Sequence, residues 1–239
     1  MKSFEAKHIR KRFEGVVALR YANFKMEGAK ICGLVGANGS GKTTFARICA
    51  GLVKADGGEE IFINGKKVRI HSPLDAEKFG IVLVHQNLSL IPDLSVWENI
   101  NLGHEERSKN IFLDNKHAKD LAVKVLRDLS LDKISLNDKV ASLSLGEKQI
   151  VEIAKAISQE AKILVMDEPT AALSEEETQS LFKIIKTLKS KGVAIIYSED
   201  FKGIARWNLC SFFNNEMSKS YKNKQVFTNP KRIEVVVNE

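Results

Sequence analysis

The densest chemical signal in the sequence is the stretch Gly36-Ala37-Asn38-Gly39-Ser40-Gly41-Lys42-Thr43-Thr44, which follows the apolar run Ile31-Cys32-Gly33-Leu34-Val35 and leads into Phe45-Ala46-Arg47-Ile48-Cys49-Ala50. A β-rich run, a glycine-rich turn and then helix formers is the setting that a G-x-x-x-x-G-K-[ST] phosphate loop requires. Glycines let the backbone close around a polyphosphate, so that several amide N–H groups and the positive end of the next helix face the anion. Lys42 then reaches the terminal phosphates, and the Thr43 hydroxyl ligates Mg²⁺.

A second group of residues suits the same ligand. The apolar run Ile163-Leu164-Val165-Met166 ends in Asp167-Glu168-Pro169-Thr170. Two adjacent acids are ordinarily a solvated turn, but at the end of a buried strand like charges call for a cation. Asp167 is therefore read as a holder of Mg²⁺, and Glu168 as the group that orients or deprotonates an attacking water. Gln86 stands just beyond Ile81-Val82-Leu83-Val84, where ligands of open parallel sheets gather, and is a candidate metal or water contact. In Ala141-Ser142-Leu143-Ser144-Leu145-Gly146-Glu147-Lys148-Gln149, hydroxyls and a glycine precede a helix. Its amides can bind an anion, and a plain helix cap accounts for Ser144 equally well. An exposed Phe13 can stack on a purine, although its spacing favours a strand-packing role.

These residues need elements to position them. Residues 3–28 alternate apolar and polar, as strands do. The pattern predicts a helix over 45–53, and Asn64-Gly65 predicts a β-hairpin between Glu60-Ile61-Phe62-Ile63 and Lys67-Val68-Arg69-Ile70. A short helix starts at Pro73, and Ile81–Val84 reads as a buried strand. From Ser95 to about Gln159 the apolar period becomes helical, and a helix from Glu175 through Leu188 precedes the strand Val193–Tyr197. Strands alternating with helices indicate an α/β fold. After Trp207 the chain is rich in lysine and asparagine, with apolar runs at Phe212-Phe213 and Ile233–Val237 that fit either edge strands or a loosely held tail.

The 239 residues, 44% of them hydrophobic, suffice for a buried core. No apolar run approaches the roughly 18 residues of a spanning helix, and the basic start lacks a signal-peptide core, which predicts a soluble, cytoplasmic chain. Cys32, Cys49 and Cys210 fit reduced buried thiols better than disulfides or metal ligands. The net charge of +7 arises from lysines scattered among acids, so no nucleic-acid partner is expected.

Taken together, these motifs resemble the nucleotide-binding domain of ATP-binding cassette (ABC) transporters over essentially all of residues 3–200. The resemblance implies a P-loop NTPase core of the ABC ATPase type, with an N-terminal antiparallel β subdomain and an α-helical subdomain. It implies a single domain over 1–239, its core formed by 1–86 and 161–239 and its helical part by about 87–160. The loop Gly36–Thr43 takes the place of Walker A, Gln86 that of the Q-loop, and Leu143-Ser144-Leu145-Gly146-Glu147 that of the signature. Ile163–Asp167 stands at Walker B with Glu168 as its catalytic glutamate, Ala171-Ala172-Leu173-Ser174 at the D-loop, and Phe13 at the adenine-stacking aromatic. ATP and Mg²⁺ are the implied ligands. Two such domains meet head to tail in this family, so Ser144, Gly146 and Glu147 would touch the nucleotide of the partner.

Leu94–Ile100, Val151–Ala156 and Met166–Leu173 resemble the first ATPase half of sugar importers of the ribose and xylose type, or of related nucleoside importers. The implied function is ATP hydrolysis that drives solute uptake. The implied partners are membrane-spanning permease subunits on the inner face of the cell membrane, a second ATPase domain and, indirectly, a solute-binding protein. Three departures stand out. Leu145 and Glu147 replace the commonest signature residues, and the segment after Asp200 departs from the usual closing strands. An ungapped match also puts Asp200 where the family has its switch histidine. A carboxylate there repels the γ-phosphate, which predicts weak hydrolysis or a regulatory cassette paired with a competent half.

Overall fold

The computed structural model describes residues 2–85, 88–103, 115–129, 131, 134–200 and 203, together with the backbone of 234–238. Strands β1 (Ser3–Phe13) and β2 (Val16–Glu27) form a hairpin whose turn residues Glu14 and Gly15 both have positive φ, 36° and 90°. Strands β4 (Glu60–Ile63) and β5 (Lys66–Val68) form the hairpin expected around Asn64-Gly65, again with positive φ at both positions. Such turns match the right-handed twist of the flanking strands. The four strands make one antiparallel sheet in the order β2-β1-β4-β5.

The second sheet holds β3 (Ile31–Val35), β6 (Ile81–Val84), β7 (Ile163–Asp167), β8 (Ala194–Glu199) and β9 (Glu234–Asn238), in the order β6-β7-β8-β3-β9. Its first four strands run parallel, and β9 pairs antiparallel with β3. The apolar run near the C-terminus thus enters the ladder as an edge strand, while Cys210 and Phe212-Phe213 lie outside the described residues. Strand β6 is also at the edge: Ile81 and Val84 are buried as expected of a buried strand, while Val82 and Leu83 are only half-buried.

Both faces of the parallel sheet are covered, as its continuous apolar runs require. On β7, Ile163 and Val165 enter one core while Leu164 and Met166 enter the other. The first core joins helix α1 (Lys42–Cys49) to the antiparallel sheet through Phe45, Phe4, Phe24 and Met26, with the rings of Phe24 and Phe45 5.6 Å apart. Truncating such a buried ring costs about 3–5 kcal/mol, so this contact fixes the small sheet against the loop-bearing helix. The second core carries α3 (Val96–Asn101), α4 (Asn115–Asp128), α5 (Leu145–Ser158) and α6 (Glu175–Ser190). A short helix, α2 (Pro73–Lys78), is capped by Ser72, whose side chain accepts the Asp75 N–H.

Helix α1 starts earlier and stops earlier than the expected 45–53. It ends because Gly51 adopts φ 72°, where a Cβ would come within 2.3 Å of the Ser72 carbonyl oxygen. Cys32 and Cys49 are buried free thiols, and burial pushes Cys32 up to about 11 and Cys49 higher still. Among the described residues, no helix is long and apolar enough to cross a membrane.

Candidate functional site

The ladder sets the geometry. Val35 at the end of β3 pairs with Glu199 of β8, and Ser198 of β8 pairs with Asp167 of β7. The carboxyl ends of three adjacent strands therefore lie side by side, and the glycine-rich loop leaves from one of them.

Residues 36–41 connect β3 to α1. Gly39 and Gly41 have φ of 78° and 99°. At Gly41 a Cβ would also meet the Ala18 carbonyl oxygen at 2.6 Å and the Leu19 side chain at 2.7 Å, so glycine is required there twice over. Gly41 is the N-cap of α1 and offers no side chain to the helix amides. Gly36 and Ser40 are buried, Asn38 and Gly39 are exposed, and Ala37, Thr43 and Thr44 lie between these extremes. Lys42 is buried, its ammonium donating to the carbonyls of Gly36 at 2.9 Å and Ala37 at 3.2 Å and pairing with Glu168 at 3.6 Å.

The acids close the other side. Thr43 donates its hydroxyl to Asp167 at 3.0 Å, and Ser198 donates to the same oxygen at 2.8 Å. Glu168 is held in a left-handed conformation, φ 47°, and its N–H is bonded to both the carbonyl and the hydroxyl of Ser198. A non-glycine residue in that region costs of order 1–3 kcal/mol and persists only where its surroundings fix it. The turn after β7 thus presents the Glu168 carboxylate to the loop. Lys42, Thr43, Asp167 and Glu168 share one cluster.

A polyphosphate with a divalent cation fits this cluster on three structural grounds. Among the described residues the Ser40 hydroxyl is buried without a hydrogen-bond partner, and an orphaned polar group of that kind suits a ligand oxygen. The amides at the start of α1 have no side-chain cap. A hydroxyl and a carboxylate, Thr43 and Asp167, are the oxygen donors that Mg²⁺ takes.

The remaining candidates stand on other elements. Phe13 ends β1 at the hairpin tip, 45% exposed, with the Lys11 ammonium 5.2 Å from its ring centroid. A hollow of about 590 Å³ nearby is lined by Arg10, Arg12, Val17, Leu19 and Arg20, and Leu19 also borders Gly41. Ser144 is the N-cap of α5 in a reciprocal capping box with Glu147. The Ser144 hydroxyl and the Gly146 N–H also donate to Glu177 at 3.0 Å each. Asp200 follows β8, and its carboxylate accepts the Gly203 N–H at 2.7 Å. Gln86 lies outside the described residues.

Three residues at or near the site escaped the sequence reading. Ser198 anchors both Asp167 and Glu168. Glu199 is buried and accepts the hydroxyls of Thr170 at 2.6 Å and Tyr197 at 3.2 Å. Burial holds its carboxyl above the ordinary glutamate value, with Glu168 adding to the rise and the Thr170, Asp200 and Tyr197 donors opposing it. Glu177 bridges the starts of α5 and α6. A charged residue in the last position of a buried strand, and the S-x-x-E spacing of Ser174 and Glu177, were the available signals.

The model of the ABC transporter family matches residues 19–171. The ribose import ATP-binding protein RbsA of Caldanaerobacter subterraneus subsp. tengcongensis is 44% identical over 193 residues, 81% of this chain and 38% of that protein. The chain thus spans well under half the length of this curated relative. Among solved structures, a nucleotide-free ATP-binding cassette from an ABC transporter superposes with a TM-score of 0.75 at 25% identity, covering 87% of this chain and 85% of the other. The dimeric structure of a bacterial ABC transporter cassette gives 0.70 at 25% identity, covering 85% and 90%.

Proposed function

The chain belongs to the ABC transporter family, and from that premise we propose that it is an ATP-binding and ATP-hydrolysing cassette of an importer for a sugar or related solute. The observation that carries the reading is the convergence of Lys42, Thr43, Asp167 and Glu168 on one point, with the unpartnered Ser40 hydroxyl beside them.

In this reading residues 1–239 act as one ATPase domain. The amides of residues 36–41, Ser40 and Thr44 receive the phosphates, and Phe13 stacks on the adenine. Thr43 and Asp167, with Gln86, would hold Mg²⁺, which when bound would supply positive charge against the phosphates. Lys42 exchanges the Gly36 and Ala37 carbonyls for phosphate oxygens and in doing so leaves Glu168. Freed from its ammonium, Glu168 orients a water in line with the γ-phosphate and accepts its proton. Ser144, Gly146 and Glu147 face the nucleotide of a second cassette, as the likeness to a dimeric cassette supports.

The solute class follows from the relative, a ribose import protein. Membrane-spanning permease subunits would hold the cassette against the inner face of the membrane, with a solute-binding protein acting indirectly. Two substitutions test the assignment. Lys42→Ala weakens nucleotide binding, and Glu168→Gln abolishes phosphate release while trapping ATP-bound pairs. Turnover unchanged in both variants would refute the reading.

A further inference from the structure

The N-terminus of α5 already has an anion on it. One carboxylate oxygen of Glu177 accepts both the Ser144 hydroxyl and the Gly146 N–H at 3.0 Å, and the other oxygen accepts the Ser174 N–H at the start of α6, also at 3.0 Å. The approach depends on Gly146, where a Cβ would stand 2.6 Å from the Glu177 side chain. Hydrogen bonds from Ser174 first, then from Gly146 and Ser144, hold the carboxyl below the ordinary glutamate value, so Glu177 is charged near neutrality.

We propose that Glu177 is a resident anion that occupies the two donors a second copy's γ-phosphate would take, Ser144 Oγ and Gly146 N–H, so that ATP-dependent pairing must displace it. The inference rests on the pairing of cassettes in the proposed function. Two donors at a helix start serve one anionic oxygen well, and two anions crowded there repel each other. The γ-phosphate must therefore outcompete a carboxylate delivered from the same chain. The incoming group carries more charge than the carboxylate, whereas ADP brings no γ-phosphate to the contest. The contact consequently raises the ATP requirement for pairing. The Ser144–Glu147 capping box does not involve Glu177.

The test uses the full chain carrying Glu168→Gln, with and without Glu177→Gln, titrated with Mg-ATP and followed by sedimentation. Loss of the carboxylate is expected to lower the ATP concentration at half-pairing by about tenfold, the scale of one charged hydrogen bond. Nucleotide affinity at chain concentrations too low for pairing should stay the same. Glu177→Ala is a second variant: it too should pair at lower ATP, although its thermal midpoint falls because the cap of α6 is lost. If either variant, while folded, needs as much ATP as its parent or more, Glu177 merely supports the helix and the inference is overturned. Should every chain bind ATP and none pair, pairing between copies falls and the inference with it, while the nucleotide site stands. Absence of ATP binding would overturn the proposed function itself.

Discussion

The Thr43 hydroxyl and the Asp167 carboxylate meet at 3.0 Å across 124 positions of sequence, and Ser198 donates to the same Asp167 oxygen from the neighbouring strand. Asp167 is therefore aimed by two hydroxyls, one of which, Thr43, would share the metal with it. Ser198 is left as the group that orients the carboxylate. Partners of this kind typically cost 10- to 100-fold in metal affinity when removed. Ser198→Ala should raise the Mg²⁺ concentration needed for half-maximal ATP hydrolysis by about tenfold. A magnesium titration of phosphate release checks this, and an unchanged midpoint would show that Thr43 alone sets the carboxylate.

Gly41 joins the loop to α1 under two constraints, a φ of 99° and the Ala18 carbonyl 2.6 Å from any added Cβ. The obstructing atom is backbone of β2, so the strain cannot be relieved by turning a side chain. Gly41→Ala should lose about 1–3 kcal/mol of stability in urea unfolding. It should also weaken ATP binding, because the first amides of the helix shift with the loop. Gly57, which has the same φ and open space around it, is the control: Gly57→Ala meets the strain without the collision and should cost less.

Glu199 gives a pH dependence whose direction is fixed by burial. Its carboxyl titrates above the ordinary glutamate value in the folded chain. Below the unfolded value both states carry the proton and the residue imposes no charge penalty. As pH rises through the raised folded value, the native state gives up its proton less readily than the unfolded one, and stability is lost. Urea midpoints of the parent chain should therefore fall relative to those of Glu199→Gln as pH rises above the ordinary glutamate value. A gap that stays constant over that range would mean that the Thr170, Tyr197 and Asp200 donors cancel the cost of burial.

What the sequence disclosed and what it hid divide along a physical line. The phosphate loop, the Asn64-Gly65 hairpin and the strand ending in Asp167 are legible because each is specified by neighbouring residues: glycines with positive φ, a two-residue turn, a continuous apolar run. Ser144 was legible as a cap for the same reason. Ser198, Glu199 and the second role of Glu177 were not, because Asp167 for Ser198, Thr170 for Glu199 and Ser144 for Glu177 lie 29 to 33 positions away. Periodicity predicts that β8 is buried, but not that its last two side chains hold the acids and the turn of the next strand. The outcome for the C-terminal run was likewise open, since antiparallel pairing with β3 depends on which edge is vacant rather than on the run itself. Helix α1 ends before Gly51, whose positive φ is a local stop signal that the expected 45–53 ran past.

Asp200 stands where the family resemblance places a histidine, one residue beyond β8, and its carboxylate accepts the Gly203 N–H. A carboxylate in that place cannot donate to a γ-phosphate oxygen, and at about 4 Å it repels one by roughly 1–4 kcal/mol for an effective dielectric of 80 to 20. Each 1.36 kcal/mol lost in the transition state is about tenfold in rate. Asp200→His replaces an acceptor with a donor and removes the negative charge, so steady-state phosphate release should rise by about tenfold or more, with little change in the affinity for ATP in single-copy binding. Asp200→Asn separates the two contributions: it removes the charge and supplies an amide donor, and should recover part of the gain. If both variants release phosphate no faster than the parent chain, Asp200 faces away from the γ-phosphate, and hydrolysis is governed by Glu168 and its release from Lys42.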